Sequence, residues 1–283
     1  MDSVLSIFLL PPVLRGLVAM LLCGVSFPLC GVAVLRLGLI PLRYMLMHGV
    51  LLGGAIAMAL SLPPEPVALA VNLLLVFAIL DLSPGRHAGF GAGSAAAMVV
   101  SMALASLVMH LAAVPAKDTL GLLWGSPFAL TPADLVVLAA LALAILLGAV
   151  FRFRPILALF FNADIAQASG VRVRLLQTFI VLAIAIVVAA GMKLLGAFLV
   201  DAALLLPVLC AAALQRGNGS APKGMRFLCG CSCLCGVGIC VGGYVAAVLL
   251  NLPPAATIGS MGGVLYGFLS WNSRRHYAER KAK

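Results

Sequence analysis

The chain has 283 residues, 64% of them hydrophobic and 9% charged, with a mean hydropathy of +1.21. Soluble domains are about half apolar and about a quarter charged, so an ordinary soluble domain is excluded. The net charge of +10, from 18 Lys and Arg against 8 Asp and Glu, suggests nucleic acid as a partner only until the positions of those charges are read.

Apolar runs of about 20 residues, long enough to cross a hydrocarbon core of about 30 Å, recur from end to end. The opening MDSVLSIFLLPP lacks a basic leader and a small-residue cleavage site, so no signal peptide is expected. The runs predict nine spans, within a range of 8–10: 13–34, 43–62, 66–82, 88–112, 132–151, 175–192, 194–214, 227–250 and 255–271. The fold class is an all-α polytopic membrane protein, one compact transmembrane bundle over 1–283. With the N-terminus outside and the C-terminus cytoplasmic, only Arg15, Lys117 and Lys193 fall towards the outside, which leaves fifteen of the eighteen basic residues inside. Arg36, Arg43, Arg86, Arg152, Arg154, Arg172 and Arg174 are among the fifteen. The positive-inside rule selects that orientation. The basic excess is therefore expected at anionic lipid, and no nucleic-acid partner is expected.

In chain order, the second span opens on YMLMHGVLLGG, where Tyr44 and His48, four apart, share a helix face. Gly49, Gly53 and Ala57 follow at the spacing that lets membrane helices approach closely, as do Gly259, Gly263 and Gly267 in the ninth span. The third span holds Asn72. Between the fourth and fifth spans, PAKDTLGLLWGSPFALTPAD (115–134) is an outer segment whose Trp124 and Phe128 are expected at headgroup level. An inner loop, about 152–174, contains FFNADIAQASG, expected as a short surface helix capped at Asn162 and stopped at Gly170.

The seventh span carries Asp201 in LGAFLVDAALLLP, about 10 Å from its outer end at 1.5 Å per residue. An ionisable group in hydrocarbon costs a few kcal/mol by insertion scales, so it should face the bundle interior or water. His48, Asp201, Tyr44 and Asn72 are accordingly candidate pathway residues. The bland alternatives are an imidazole tied to a carbonyl, and an aspartate protonated or paired with Lys193.

The eighth span contains CGCSCLCGVGIC, five of the eight cysteines (Cys229, Cys231, Cys233, Cys235, Cys240). Residues two apart on a helix point about 200° from each other, so the first four cannot converge on one tetrahedral ion. Only Cys229 with Cys233, or Cys231 with Cys235, share a face. Small, weakly polar packing residues without disulfides are expected. The tail, 272–283, is a solvated basic end.

Several chemistries lack their residues. No lysine precedes Ser or Thr, so the phosphate loop of ATPases is missing. There is no H-E-x-x-H, and the four histidines (His48, His87, His110, His276) are scattered. GFGAGSAAAM, the nearest approach to a G-x-S-x-G serine, has no histidine partner. An enzyme is not expected.

Four stretches together resemble the permease subunit of bacterial ABC-type zinc/manganese/iron importers, the zinc branch most of all. YMLMHGVLLG (44–53) is similar to that branch's D-x-L-x-H-A-x-L-L-G. LLWGSPFALTPADL (122–135) is similar to Y-L-F-G-x-x-x-x-V-T-P-x-D-L. ADIAQASGV (163–171) meets A-x-x-x-G-V, and MKLLGAFLVDAALLLPVLCA (192–211) meets M-K-x-V-G-A-L-x-x-x-x-L-L-x-I-P-A-A-T-A. The resemblance implies a multi-pass protein of the bacterial inner membrane. Two copies would form a channel for a divalent metal, zinc first, with no permanently bound cofactor. It further implies two separate ATPase subunits docked on the inner loop at Phe161, Asp164, Ala166, Ala168, Gly170 and Val171, and an extracytoplasmic metal-binding protein outside. Gly49, Gly53, Gly196 and Pro207 would pack the helices.

Two departures bear on the cargo. The family aspartate four residues before His48 is Tyr44 here, and Asp201 stands where relatives often carry Thr or Ser. The alternatives are manganese or iron import by the same machine, a proton-coupled secondary transporter using Asp201 and His48, and a membrane-embedded enzyme or scaffold.

Overall fold

The computed structural model describes residues 8–82, 89–113, 125–217 and 224–281. Among them eleven α-helices follow one another: α1 (Pro11–Arg36), α2 (Ile40–Ala59), α3 (Pro64–Leu82), α4 (Gly89–Leu111), α5 (Pro132–Phe151), α6 (Phe153–Phe161), α7 (Ala163–Ala168), α8 (Val173–Leu195), α9 (Ala197–Gly217), α10 (Met225–Leu250) and α11 (Pro254–Lys281). A 3₁₀ turn at Pro127–Ala129 precedes α5, and no strand occurs among the described residues. Hydrocarbon offers no partner for a peptide group, so a spanning segment must bond its own backbone, and a helix does so.

Among the described residues seven helices are long and apolar enough to cross a membrane: α1, α2, α4, α5, α8, α9 and α10. The apolar part of α3, Pro66–Asp81, is shorter, and α11 runs its apolar half straight into the basic tail. The nine expected spans thus all lie on helices, but only seven have the length and hydropathy of a crossing.

The ends are set by short-range chemistry. Proline stands at the first or second position of α1, α2, α3, α5 and α11, where its missing N–H would have had no helical partner anyway. The expected break near residue 193 falls instead at Gly196, whose φ of 90° only glycine adopts cheaply. Its N–H bonds the Met192 carbonyl at 2.9 Å and closes α8. Gly125, at φ 53°, presses its Cα against the backbone of Leu195 and Gly196, where a side chain would collide. Pro207 is buried inside α9 and denies the Ala203 carbonyl its helical donor.

The chain divides into two compact units. The first is Met1–Val32, Ser126–Leu147 and Phe198–Lys283. Here backbones meet closely, as they must where lipid removes any hydrophobic drive between helices. A Cβ on Gly24 of α1 would lie within 2.9 Å of the Gly236 and Val237 backbone of α10, and one on Gly31 would strike the Leu204 carbonyl of α9. Met20, Cys23 and Phe27 of α1, Leu199 and Leu204 of α9 and Ile239 of α10 fill the buried core. The buried Tyr244 donates its hydroxyl to the Val13 carbonyl at 3.0 Å and meets the Phe128 ring, centroids 5.6 Å apart. Phe128 is therefore a half-buried packing residue as much as an interfacial one, while Trp124 lies outside the described residues. The glycine stripe of α11 sits one residue away from where the sequence suggests. Gly262 is the residue that contacts Leu206 and Ile239, whereas Gly263 and Gly267 face open space within the chain.

The second unit is Ala33–Gly125 and Gly148–Ala197. At its centre α2 packs on α3, α4 and α8, and α8 also packs on α3. A Cβ on Gly53 would meet the Ala68 backbone of α3, so the expected small-residue contact of α2 is made. Val181, Ile184, Val188 and Met192 of α8 are buried with Leu42, Met45, Leu46 and Val50 of α2. By contrast α4 keeps Val99, Val100, Met102, Leu107 and Leu111 exposed, the surface a spanning helix shows to lipid. The segment 152–174 is more helical than expected: α6 precedes the predicted short helix α7, and α7 leans on α6 and α8.

Candidate functional site

Three of the four candidate pathway residues fall in the second unit. His48 is half-buried on α2, its Nδ1 2.8 Å from the Tyr44 carbonyl. A carbonyl only accepts, so Nδ1 carries the proton and donates. The lone pair is then on Nε2, and the imidazole is held in the tautomer and orientation that suit a metal ligand. The expected bland reading of His48, an imidazole tied to a backbone carbonyl, describes this geometry as well. Both readings use the same hydrogen bond. Tyr44 is 40% exposed, and the Arg43 guanidinium lies 4.3 Å from its ring centroid.

Asn72 of α3 is fully buried, with its Oδ1 against the Cα of Gly49, one residue along α2 from His48. Only glycine leaves room for that amide. Neither Oδ1 nor Nδ2 has a hydrogen-bond partner among the described residues. An unmet buried amide costs about 1–3 kcal/mol, so it wants water or an ion.

Asp201 belongs to the first unit, half-buried on α9 and engaged within the chain. Because α9 begins at Ala197 and not at 194, Asp201 is its fifth residue, about 6 Å from the helix start and shallower than the sequence suggests. There the positive end of the helix dipole favours a carboxylate. The side chain of Lys193, its suggested partner, lies outside those described.

Sequence reasoning missed Arg43. Expected with the inner basic residues at lipid, it is 2% exposed and among the largest fully buried side chains. Nothing in the surrounding sequence signals that burial.

The candidate coupling residues surround α7. Asn162 caps it, with Oδ1 accepting from the Asp164 N–H at 2.7 Å and the Ile165 N–H at 3.4 Å. Beyond the helix, the Val171 N–H bonds the Ala166 carbonyl and the Gly170 N–H bonds that of Gln167, both at 3.0 Å, with Gly170 at φ 81°. This is the Schellman stop that needs glycine. Ala163 and Ala166 are buried, whereas Phe161 and Ile165 are 76% and 61% exposed, and Asp164 and Ala168 also face outward. The result is a short capped helix whose outer face mixes apolar Ile165 and Ala168 with polar Asp164 and Gln167.

All eight cysteines are free, and among the described residues no three His, Cys, Asp or Glu side chains form a group able to hold a metal ion.

Residues 10–271 match the model of the ABC 3 transport family. The chain belongs to that family. It is a multi-pass protein of the inner membrane, and the family implies ATPase and substrate-binding partners. The chain is 27% identical to a probable metal transport system membrane protein of Thermotoga maritima, over 79% of this chain and 75% of that one. It is 24% identical to the manganese transport system membrane protein MntC of Halalkalibacterium halodurans (68% and 66% covered). It is 22% identical to the high-affinity zinc uptake system membrane protein ZnuB of Haemophilus influenzae (60% and 66%). Its fold is similar to that in the structure of PsaBC from Streptococcus pneumoniae in complex with Fab, with a TM-score of 0.80, 18% identity and 98% and 99% of the two chains covered. Similarity singles out no metal branch, so the preference for zinc drawn from LLG after His48 does not stand on relatedness.

Proposed function

We propose that this chain is the membrane permease subunit of an ABC-type importer of divalent metal ions, and that its two units work as one permease domain over 1–283. The observation that carries the proposal is the family match over residues 10–271. The printed functions of the relatives, manganese and zinc transport among them, supply the cargo class. The motor is a separate ATPase, since the chain has no phosphate loop of its own. Two such ATPases dock on 160–171, and a metal-binding protein delivers cargo on the opposite face. The N-terminus lies outside, the C-terminus lies in the cytoplasm, and two copies enclose the channel.

Manganese or iron stands ahead of zinc as cargo. Oxygen ligands suit manganese and imidazole suits zinc. Within the second unit Tyr44 and Asn72 offer oxygen, against the single nitrogen of His48. Zinc remains the second reading, resting on that imidazole. Uptake of radiolabelled manganese and zinc into cells carrying the complete importer tests both. His48→Ala and Asp201→Ala should each weaken the apparent affinity for the cargo by at least about tenfold, with manganese entering faster than zinc. Wild-type uptake in both variants ends the assignment of the pathway residues.

A further inference from the structure

Where α5 ends and α8 begins, the second unit holds an open cleft of about 720 Å³. Both helices are spans, so the cleft lies where hydrocarbon gives way to headgroups on one membrane face. Its polar wall is Arg152, just after α5, and Arg172, just before α8. Its apolar wall is Pro155, Leu175, Leu176 and Phe179. Both arginines are exposed, and among the described residues neither guanidinium has an ion-pair or hydrogen-bond partner. Leu175 and Phe179, one turn apart on α8, are 50% and 68% exposed and lead from the arginines into the span.

A ligand that fills this cleft has an anionic head for two guanidiniums and a hydrocarbon chain for the apolar wall. Arginine grips phosphate through paired donors, and basic pockets beside spans accept anionic headgroups. We propose that the cleft is a binding site for one anionic phospholipid of the surrounding leaflet, its phosphate between Arg152 and Arg172 and an acyl chain along Leu175 and Phe179. Gly170 and Val171 also line the cleft, so the lipid touches the turn that ends α7. Any effect on coupling rests on the docking role proposed above; the binding itself does not.

Native mass spectrometry of the full chain in neutral detergent tests the site, with dioleoylphosphatidylglycerol and dioleoylphosphatidylcholine titrated in turn. The phosphatidylglycerol should be held about tenfold more tightly. R152Q/R172Q should abolish that preference, and R152K/R172K should keep most of it. R154Q/R174Q, which removes two exposed arginines of the same segment that do not line the cleft, should leave it intact. Phe179→Ser should weaken both lipids. Equal loss of preference in R154Q/R174Q would reduce the site to diffuse charge. Competition by glycerol 3-phosphate as strong as by the lipid would make it a plain anion site. Displacement of the lipid by the ATPase subunit would make the cleft a protein-docking surface. Each of these three results overturns the proposal.

Discussion

His48 keeps its Nδ1–H on the Tyr44 carbonyl, so what Tyr44 contributes to the imidazole is a backbone acceptor. The buried amide of Asn72 lies against α2 one residue further on, without a hydrogen-bond partner among the described residues. A purely structural asparagine would be paired; an unpaired one in a fully packed contact weakens the fold. Asn72→Ala should therefore leave thermal stability unchanged or raised, within about 1–3 kcal/mol, and lower metal uptake. A variant that loses stability while transporting normally would show that the amide only fills space. His48, Tyr44, Asn72 and Asp201 were legible as candidates because polar groups are rare in apolar runs. The burial of Arg43 was not legible, since a basic residue at a predicted helix end gives no sign of which way it turns.

At the scale of the elements, three of the four stretches that carry the family resemblance start or stop helices, whereas YMLMHGVLLG lies inside α2. In LTPAD, Thr131 and Asp134 exchange bonds at the mouth of α5. The Asp134 carboxylate accepts from the Thr131 N–H and hydroxyl at 2.8 Å, and the Asp134 N–H donates back to the hydroxyl at 3.2 Å. This is a capping box. Thr131→Ala should cost about 1 kcal/mol, seen as a lower midpoint of thermal unfolding in detergent. In ADIAQASGV, Asn162 and Gly170 delimit α7. Gly170→Ala puts a Cβ on a left-handed residue and should cost about 1 kcal/mol locally. Asn tolerates that conformation far better, so Gly170→Asn should be nearly silent. Co-purification of the ATPase should fall for the alanine variant and hold for the asparagine variant; equal retention by both would separate the stop of α7 from docking. The short helix and its caps were readable because capping is local. The second inner helix, α6, was not, because FRPILALFF is short and apolar and looks like the continuation of a loop beside a membrane. The break at Gly196 was misplaced by three residues: within MKLLGAF the one charge is Lys193, where the spans were parted, and only the backbone conformation marks the true boundary at Gly196.

For the whole molecule, composition alone established a polytopic helical protein, because no soluble chain carries so many apolar runs. The number of crossings was less legible. The apolar stretch of α3 is short, and α11 is half apolar and half basic, so a count by hydropathy depends on where each helix is allowed to end. Which glycines bring helices together was also beyond the pattern: Gly262 and Gly263 are equivalent in sequence terms, and only the facing Leu206 and Ile239 distinguish them. The transport role follows from the family, whereas the source of energy is what separates the proposed importer from a proton-coupled carrier using the same His48 and Asp201. The most direct measurement is metal uptake by proteoliposomes holding this chain with its ATPase and binding protein. Uptake should require ATP and all three components, and should persist when a proton uncoupler is added. Uptake by the chain alone, indifferent to ATP and abolished by the uncoupler, would contradict the account.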